Sequence, residues 1–139
     1  MVDSDRHMDG VYRLTRNENF REHLMAQGID ENKAQEVDQL RPLLKINIEG
    51  NDVTISTEME SGSTTSILKL DEEVEEMIAL DMTIKSKSTM EDNRLKIHSE
   101  GPNGEVGIRI FEFSETGMIM TLYSDDPDVP EAKRFYERI

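Results

Sequence analysis

From Leu44 onward the apolar residues recur at every second position. The runs are Leu44-Ile46-Ile48, Val53-Ile55, Ile67 or Leu68 with Leu70, Met82-Ile84, Leu95-Ile97, Val106-Ile108-Ile110 and Met118-Met120-Leu122. Side chains alternate between faces along a strand, so this period commits most of the chain to half-buried strands rather than helices. Between the runs lie Glu49-Gly50-Asn51-Asp52, Glu91-Asp92-Asn93, Gly101-Pro102-Asn103-Gly104 and Glu115-Thr116-Gly117. Their Gly, Asn and Asp residues tolerate the positive φ of tight hairpins, and such short connections make neighbouring strands antiparallel. With Tyr12-Leu14 and the C-terminal end counted, the meander has about ten strands. It must either expose two edges or close on itself, and closure removes the edges. The expected fold is therefore mainly β, a ten-stranded antiparallel up-and-down barrel. About eight strands already make an interior that side chains can fill, so ten imply room left inside.

A short helical interlude precedes the meander. Phe20, Leu24 and Met25 recur at helical spacing and Gly28 supplies a C-terminal stop. Asp30 can cap a second helix with an Ala34-Val37-Leu40 stripe, and Pro42 forbids its continuation. The two make a helix-turn-helix joined at Gly28-Ile29. Met1–Asp9 shows neither period and is set aside as a lead outside the fold, leaving residues 10–139 as one domain.

Composition removes several function classes. Thirty acidic residues against 16 basic ones give a formal charge of -14, which repels phosphates and anionic bilayers over a Debye length of about 8 Å at cell salt. No nucleic-acid partner and no stable membrane insertion are expected. No apolar run approaches the roughly 18 to 20 residues of a membrane span, and the start lacks a signal peptide's apolar middle; a cytoplasmic monomer is the expectation. With no Cys there is no disulfide and no thiolate nucleophile. Apolar residues are only 35% and charged residues 33%, so order has to come from the pattern rather than the average. His7, His23 and His98 lie in unrelated segments without metal-ligand spacing, and Asp125-Asp126-Pro127-Asp128 lacks the Gly and distal Glu of a calcium loop. There is no G-x-S-x-G elbow and no His placed beside a nucleophile. Neither a metal, a cofactor nor catalysis is expected.

Three segments resemble a known family. Gly10-Val11-Tyr12-Arg13-Leu14, then Glu18-Asn19-Phe20, Leu24 and Gly28, is similar to the opening signature of the intracellular lipid-binding proteins, which include fatty-acid-binding and cellular retinoid-binding proteins. Leu68 to Glu76, followed by Ala79 and Ile84-Lys85-Ser86, resembles that family's middle strands, and Arg134-Phe135-Tyr136-Glu137-Arg138 its last strand. The resemblance runs from about Gly10 to Ile139. It implies a ten-stranded barrel lidded by the helix-turn-helix, with a cavity for one long-chain fatty acid or similar carboxylate lipid.

Arg134 and Tyr136 are two apart on a strand and share a face, and a guanidinium with a phenol can hold a carboxylate by two or three hydrogen bonds. Parity alone leaves open whether that face is the inner one or whether Phe135 and Ile139 point inside; the resemblance implies that Arg134 and Tyr136 are the headgroup pair. Counting back from Glu115-Thr116-Gly117 puts the family's second Arg at Phe111, with Arg109 two residues earlier on the same face as a possible helper on the same anion. The resemblance sets Ala79, Leu80 and Met82 along the cavity, where Leu80 and Met82 replace Asp and Arg of many relatives, and aligns Ser61 with a portal Phe. Phe20, Leu24 and Val37 would face the underside of the lid. The implied function is a non-enzymatic carrier of a long-chain fatty acid. The alternatives are a retinoid or other hydrophobic-ligand carrier of the same fold, and a ligand-free interaction or protectant barrel.

Overall fold

A computed structural model describes residues 9–60, 62–78, 82–102 and 104–139, with the backbone alone for Met77, Ile78 and Met82. Strand β1 (Gly10–Glu18) leads into helices α1 (Phe20–Ala26) and α2 (Glu31–Gln39). The meander follows as β2 (Leu43–Glu49), β3 (Asp52–Met59), β4 (Gly62–Lys69), β5 (Glu73–Ile78), β6 (Met82–Glu91), β7 (Arg94–Glu100), β8 (Val106–Phe113), β9 (Gly117–Ser124) and β10 (Ala132–Arg138). Asp30 caps α2 by accepting a hydrogen bond from the Asn32 amide at 3.1 Å. That helix ends at Gln39, because Leu40 turns extended two residues before Pro42.

The strands form one antiparallel sheet in the order β4-β3-β2-β1-β10-β9-β8-β7-β6-β5. Consecutive strands pair everywhere except between β4 and β5, and the first strand pairs with the last, Leu14 opposite Tyr136 and Asn17 opposite Arg134. The ends of the sheet, β4 and β5, come together without a continuous ladder. Side chains and a short bridge span this seam: Ser66 Oγ donates to Glu76 at 2.6 Å, Ser88 Oγ donates to the Lys69 carbonyl, and the Asp71 amide donates to the Ser88 carbonyl. The result is a nearly closed ten-stranded barrel with two helices.

The inner face carries the period-two residues. Tyr12, Leu14, Leu44, Ile46, Val53, Leu68, Leu95, Ile97, Met118 and Met120 pack there as one core. At the ambiguous position in β4 it is Leu68 that is buried, at 1% exposure, while Ile67 is 62% exposed. Gly117 is needed for the closing pair of strands, because a Cβ there would collide with the Tyr136 carbonyl oxygen.

The structure departs from the sequence expectation in three places. Strand β8 buries the opposite register from Val106-Ile108-Ile110: Phe111 and Phe113 lie in the core with their rings stacked, so Arg109, sharing their parity, also faces inward. Leu40 lies beyond α2 and is exposed, leaving Ala34 and Val37 as the helix's inner contacts. Strand β5, rich in Glu, has no apolar alternation to announce it.

Candidate ligand site

Pairing places Arg134 in a row that crosses the barrel wall, Leu95-Phe111-Met120-Arg134-Asn17. The first three are buried and apolar, so the row is a greasy track ending in a guanidinium. Asn17 donates from Nδ2 to both the carbonyl and the carboxylate of Asp38, each at 3.1 Å. That fixes the amide's orientation and leaves its Oδ1 to accept from Arg134 Nε at 3.0 Å. Phe20, buried on α1, holds the other face: the Arg134 guanidinium carbon is 4.0 Å from its ring centroid. One arginine is thus tied to both lid helices.

Tyr136 is 6% exposed and shares the inner face with Arg134. Among the described residues nothing is hydrogen-bonded to its hydroxyl, nor to the two Nη atoms of Arg134, and no buried side-chain polar atom lacks a partner. These donors are therefore not sealed from solvent, although neither Arg134 nor Tyr136 lines the cavity described below. Burial lowers the pKa of Arg134, with Arg41 adding to the effect and Tyr136 and Asp38 opposing it. Burial raises that of Tyr136, which the Arg134 charge partly offsets. The pair is a desolvated cation beside a neutral phenol, with donors to spare.

Arg109 is engaged elsewhere. Expected as a helper on the same anion, it instead donates from Nη2 to Glu76 at 2.8 Å and from Nη1 at 3.5 Å. Glu76, whose side chain is 4% exposed, also accepts from Ser86 Oγ at 2.8 Å and Ser66 Oγ at 2.6 Å, and Ser86 is bonded to Ser99. Burial pushes the Glu76 carboxyl up, but the Arg109 charge and the hydrogen bonds from Arg109, Ser66 and Ser86 outweigh it and hold the group below the ordinary carboxylate range. Arg109 and Arg134 lie two strands and two residues apart in the sheet, roughly 12 Å between Cα atoms. They are separate poles.

A cavity of about 260 Å³ lies between α1 and strands β6 to β9, lined by Phe20, His23, Leu24, Gln27, Ile84, Ser99, Gly107, Ile108, Arg109, Leu122 and Tyr123. Its buried His23 bonds the Pro130 carbonyl through Nδ1 at 2.8 Å. Of the expected site residues, Phe20, Leu24 and Arg109 line this cavity, and Phe111 is wall. Val37 is half-buried on α2 but does not line it. Ser61, Ala79 and Leu80 lie outside the described residues, as does the side chain of Met82 at the start of β6. So does most of the Met1–Asp9 lead. The site residues missed from sequence are Glu76 and its serines, together with Asn17. Among the described residues no group of three or more His, Asp or Glu is placed to hold a metal; in the Asp125–Asp128 turn, Asp126 accepts from the Asp128 amide instead.

No family model matches the chain. It is 26% identical over 129 residues, 91% of its length and 95% of the relative's, to fatty acid-binding protein 2 of Manduca sexta. It is 28% identical to human fatty acid-binding protein 9 over 86 residues, 62% of this chain and 65% of that one. The structure superposes on a Schistosoma mansoni fatty acid binding protein in complex with arachidonic acid with a TM-score of 0.86, covering 98% of each chain at 20% identity. In sequence and in fold the chain is thus similar to fatty acid-binding proteins. Strand β8 departs from the expected cavity lining, because Phe111 stacks on Phe113 in the core and Arg109 forms an ion pair with Glu76. No described helix is long and apolar enough to cross a membrane.

Proposed function

We propose that the protein is a non-enzymatic carrier that binds one long-chain fatty acid inside the barrel, its carboxylate on Arg134 and Tyr136. The observation that carries this reading is the open donor pair: a desolvated guanidinium and a phenol on one inward face, with spare N–H and O–H groups and no carboxylate of their own. A buried, unneutralised cation is costly, so an arriving carboxylate removes that cost as well as adding charge-assisted hydrogen bonds. The alkyl chain runs from there along Met120 and Phe111 toward the cavity under Phe20 and Leu24, gaining about 0.8 kcal/mol for each CH₂ it buries. The names of the relatives support the same reading.

The carrier acts as a cytoplasmic monomer, and its lid gates entry. Asp30, Glu31, Glu36 and Asp38 outnumber Lys33 and Arg41 around α2, so cargo leaves through water rather than by collision with anionic membranes. Mass spectrometry of organic extracts from purified protein, with displacement of a fluorescent fatty acid from delipidated protein, tests the reading. Bound or displacing long-chain acids are expected; absence of both contradicts it.

A further inference from the structure

The ion pair inside the barrel lies roughly 12 Å along the wall from the headgroup pair, and holding a carboxylate leaves it without a role. Glu76 is saturated by Arg109, Ser66 and Ser86. Arg109 is not. Its Nη2 is shared between Glu76 and Ser99, its Nη1 makes only the long 3.5 Å contact, and its Nε has no acceptor among the described residues. A quarter of its side chain is accessible, and both it and Ser99 line the cavity.

A plain alkyl chain laid over these donors would strip them of water and return nothing, whereas an oxygen on the chain would satisfy them. Charge decides which kind of oxygen. Glu76 cancels Arg109, so a second carboxylate would meet repulsion alongside attraction. A neutral hydroxyl or carbonyl accepts from Arg109 at no such cost, and a hydroxyl can also donate to Ser99 Oγ. We infer that the Arg109-Ser99 pole is a second recognition site, for a neutral hydroxyl or oxo group part-way along the lipid, so that the preferred cargo is an oxygenated long-chain fatty acid.

This inference rests on the carrier reading above, and a matched pair of ligands separates the two. Oleic and ricinoleic acids share chain length and double bond and differ by one mid-chain hydroxyl. Titrated into the delipidated full-length protein, ricinoleic acid is expected to bind about tenfold tighter or more, the worth of a hydrogen bond to a charged group. In the double variant Arg109→Leu/Glu76→Leu, which strands no charge, that preference should fall to parity or reverse. Equal affinities in the unmodified protein, or a preference that survives in the double variant, overturn the second site while leaving the carrier intact. Failure to bind either acid overturns the carrier reading and the inference with it. The ligand pair on the unmodified protein decides the matter even where the double variant does not fold.

Discussion

Arg109 and Arg134 both face the inside of this barrel, and they are in opposite chemical situations. Arg109 has its own carboxylate, which three of the chain's side chains hold in place at the seam between β4 and β5. Arg134 has only neutral company on its inner side, an amide oxygen at Nε and the Phe20 ring, with Asp38 acting at a remove through Asn17. The first is neutralised at the wall, with Glu76 saturated while Arg109 keeps donor capacity. The second is unfinished, with its free donors beside the Tyr136 hydroxyl. A cation inside a barrel is thus informative about a charged cargo only when the counter-charge is known: Arg109 has one built in and Arg134 does not.

Substitutions at the Arg109-Glu76 pole should have the largest effects. Arg109→Leu strands a buried Glu76 charge and should cost about 3–5 kcal/mol in urea denaturation, with much of the loss recovered when Glu76→Leu is added. A small loss in the single variant would mean that the pair is not structural. Acid perturbs the same pole more gently. The folded pKa of Glu76 is depressed below its ordinary 4.5, so its contribution is fully present above that value and disappears as pH falls through the lower, folded one. Stability measured against pH should therefore fall on the acid side, and Glu76→Gln should flatten that limb. The smallest effect belongs to the open pole: Asn17→Ala releases Arg134 Nε and unties Asp38 of α2, costing about 1 kcal/mol of stability. It should also quicken fatty-acid dissociation in stopped flow, because the lid loses one of its ties to the headgroup pair.

Much of the barrel was legible because hydrophobic alternation and hairpin chemistry are local. Leu44-Ile46-Ile48 with Gly50-Asn51, and Leu95-Ile97 after Asp92-Asn93, announce their strands without help from the rest of the chain. The Asp30 cap is equally local. Strand β5 was hidden because a Glu on the inner face reads like any surface Glu in so acidic a chain. What makes Glu76 inward is a set of partners on four other strands, Ser66, Ser86, Ser99 and Arg109, and no short window contains them. The local signal was serine on the inner faces of three strands, Ser66 on β4, Ser86 and Ser88 on β6 and Ser99 on β7. Strand β8 misled for a related reason: it is apolar on both faces, and the larger Phe111 and Phe113 took the core from the isoleucines. At the headgroup pair the shared face of Arg134 and Tyr136 followed from spacing, whereas its inward direction came from the resemblance of the last strand, and the Asn17 and Phe20 supports came only with the fold.

The carrier depends on the Arg134-Tyr136 pair reading a carboxylate. Calorimetric titration of delipidated protein with oleic acid and with methyl oleate, repeated on Arg134→Gln, tests it directly. The substitution should weaken the acid by about 1.5–3 kcal/mol, the worth of a hydrogen bond to a charged group, and leave the ester nearly unchanged. Equal losses for acid and ester, or no loss for either, would contradict the account.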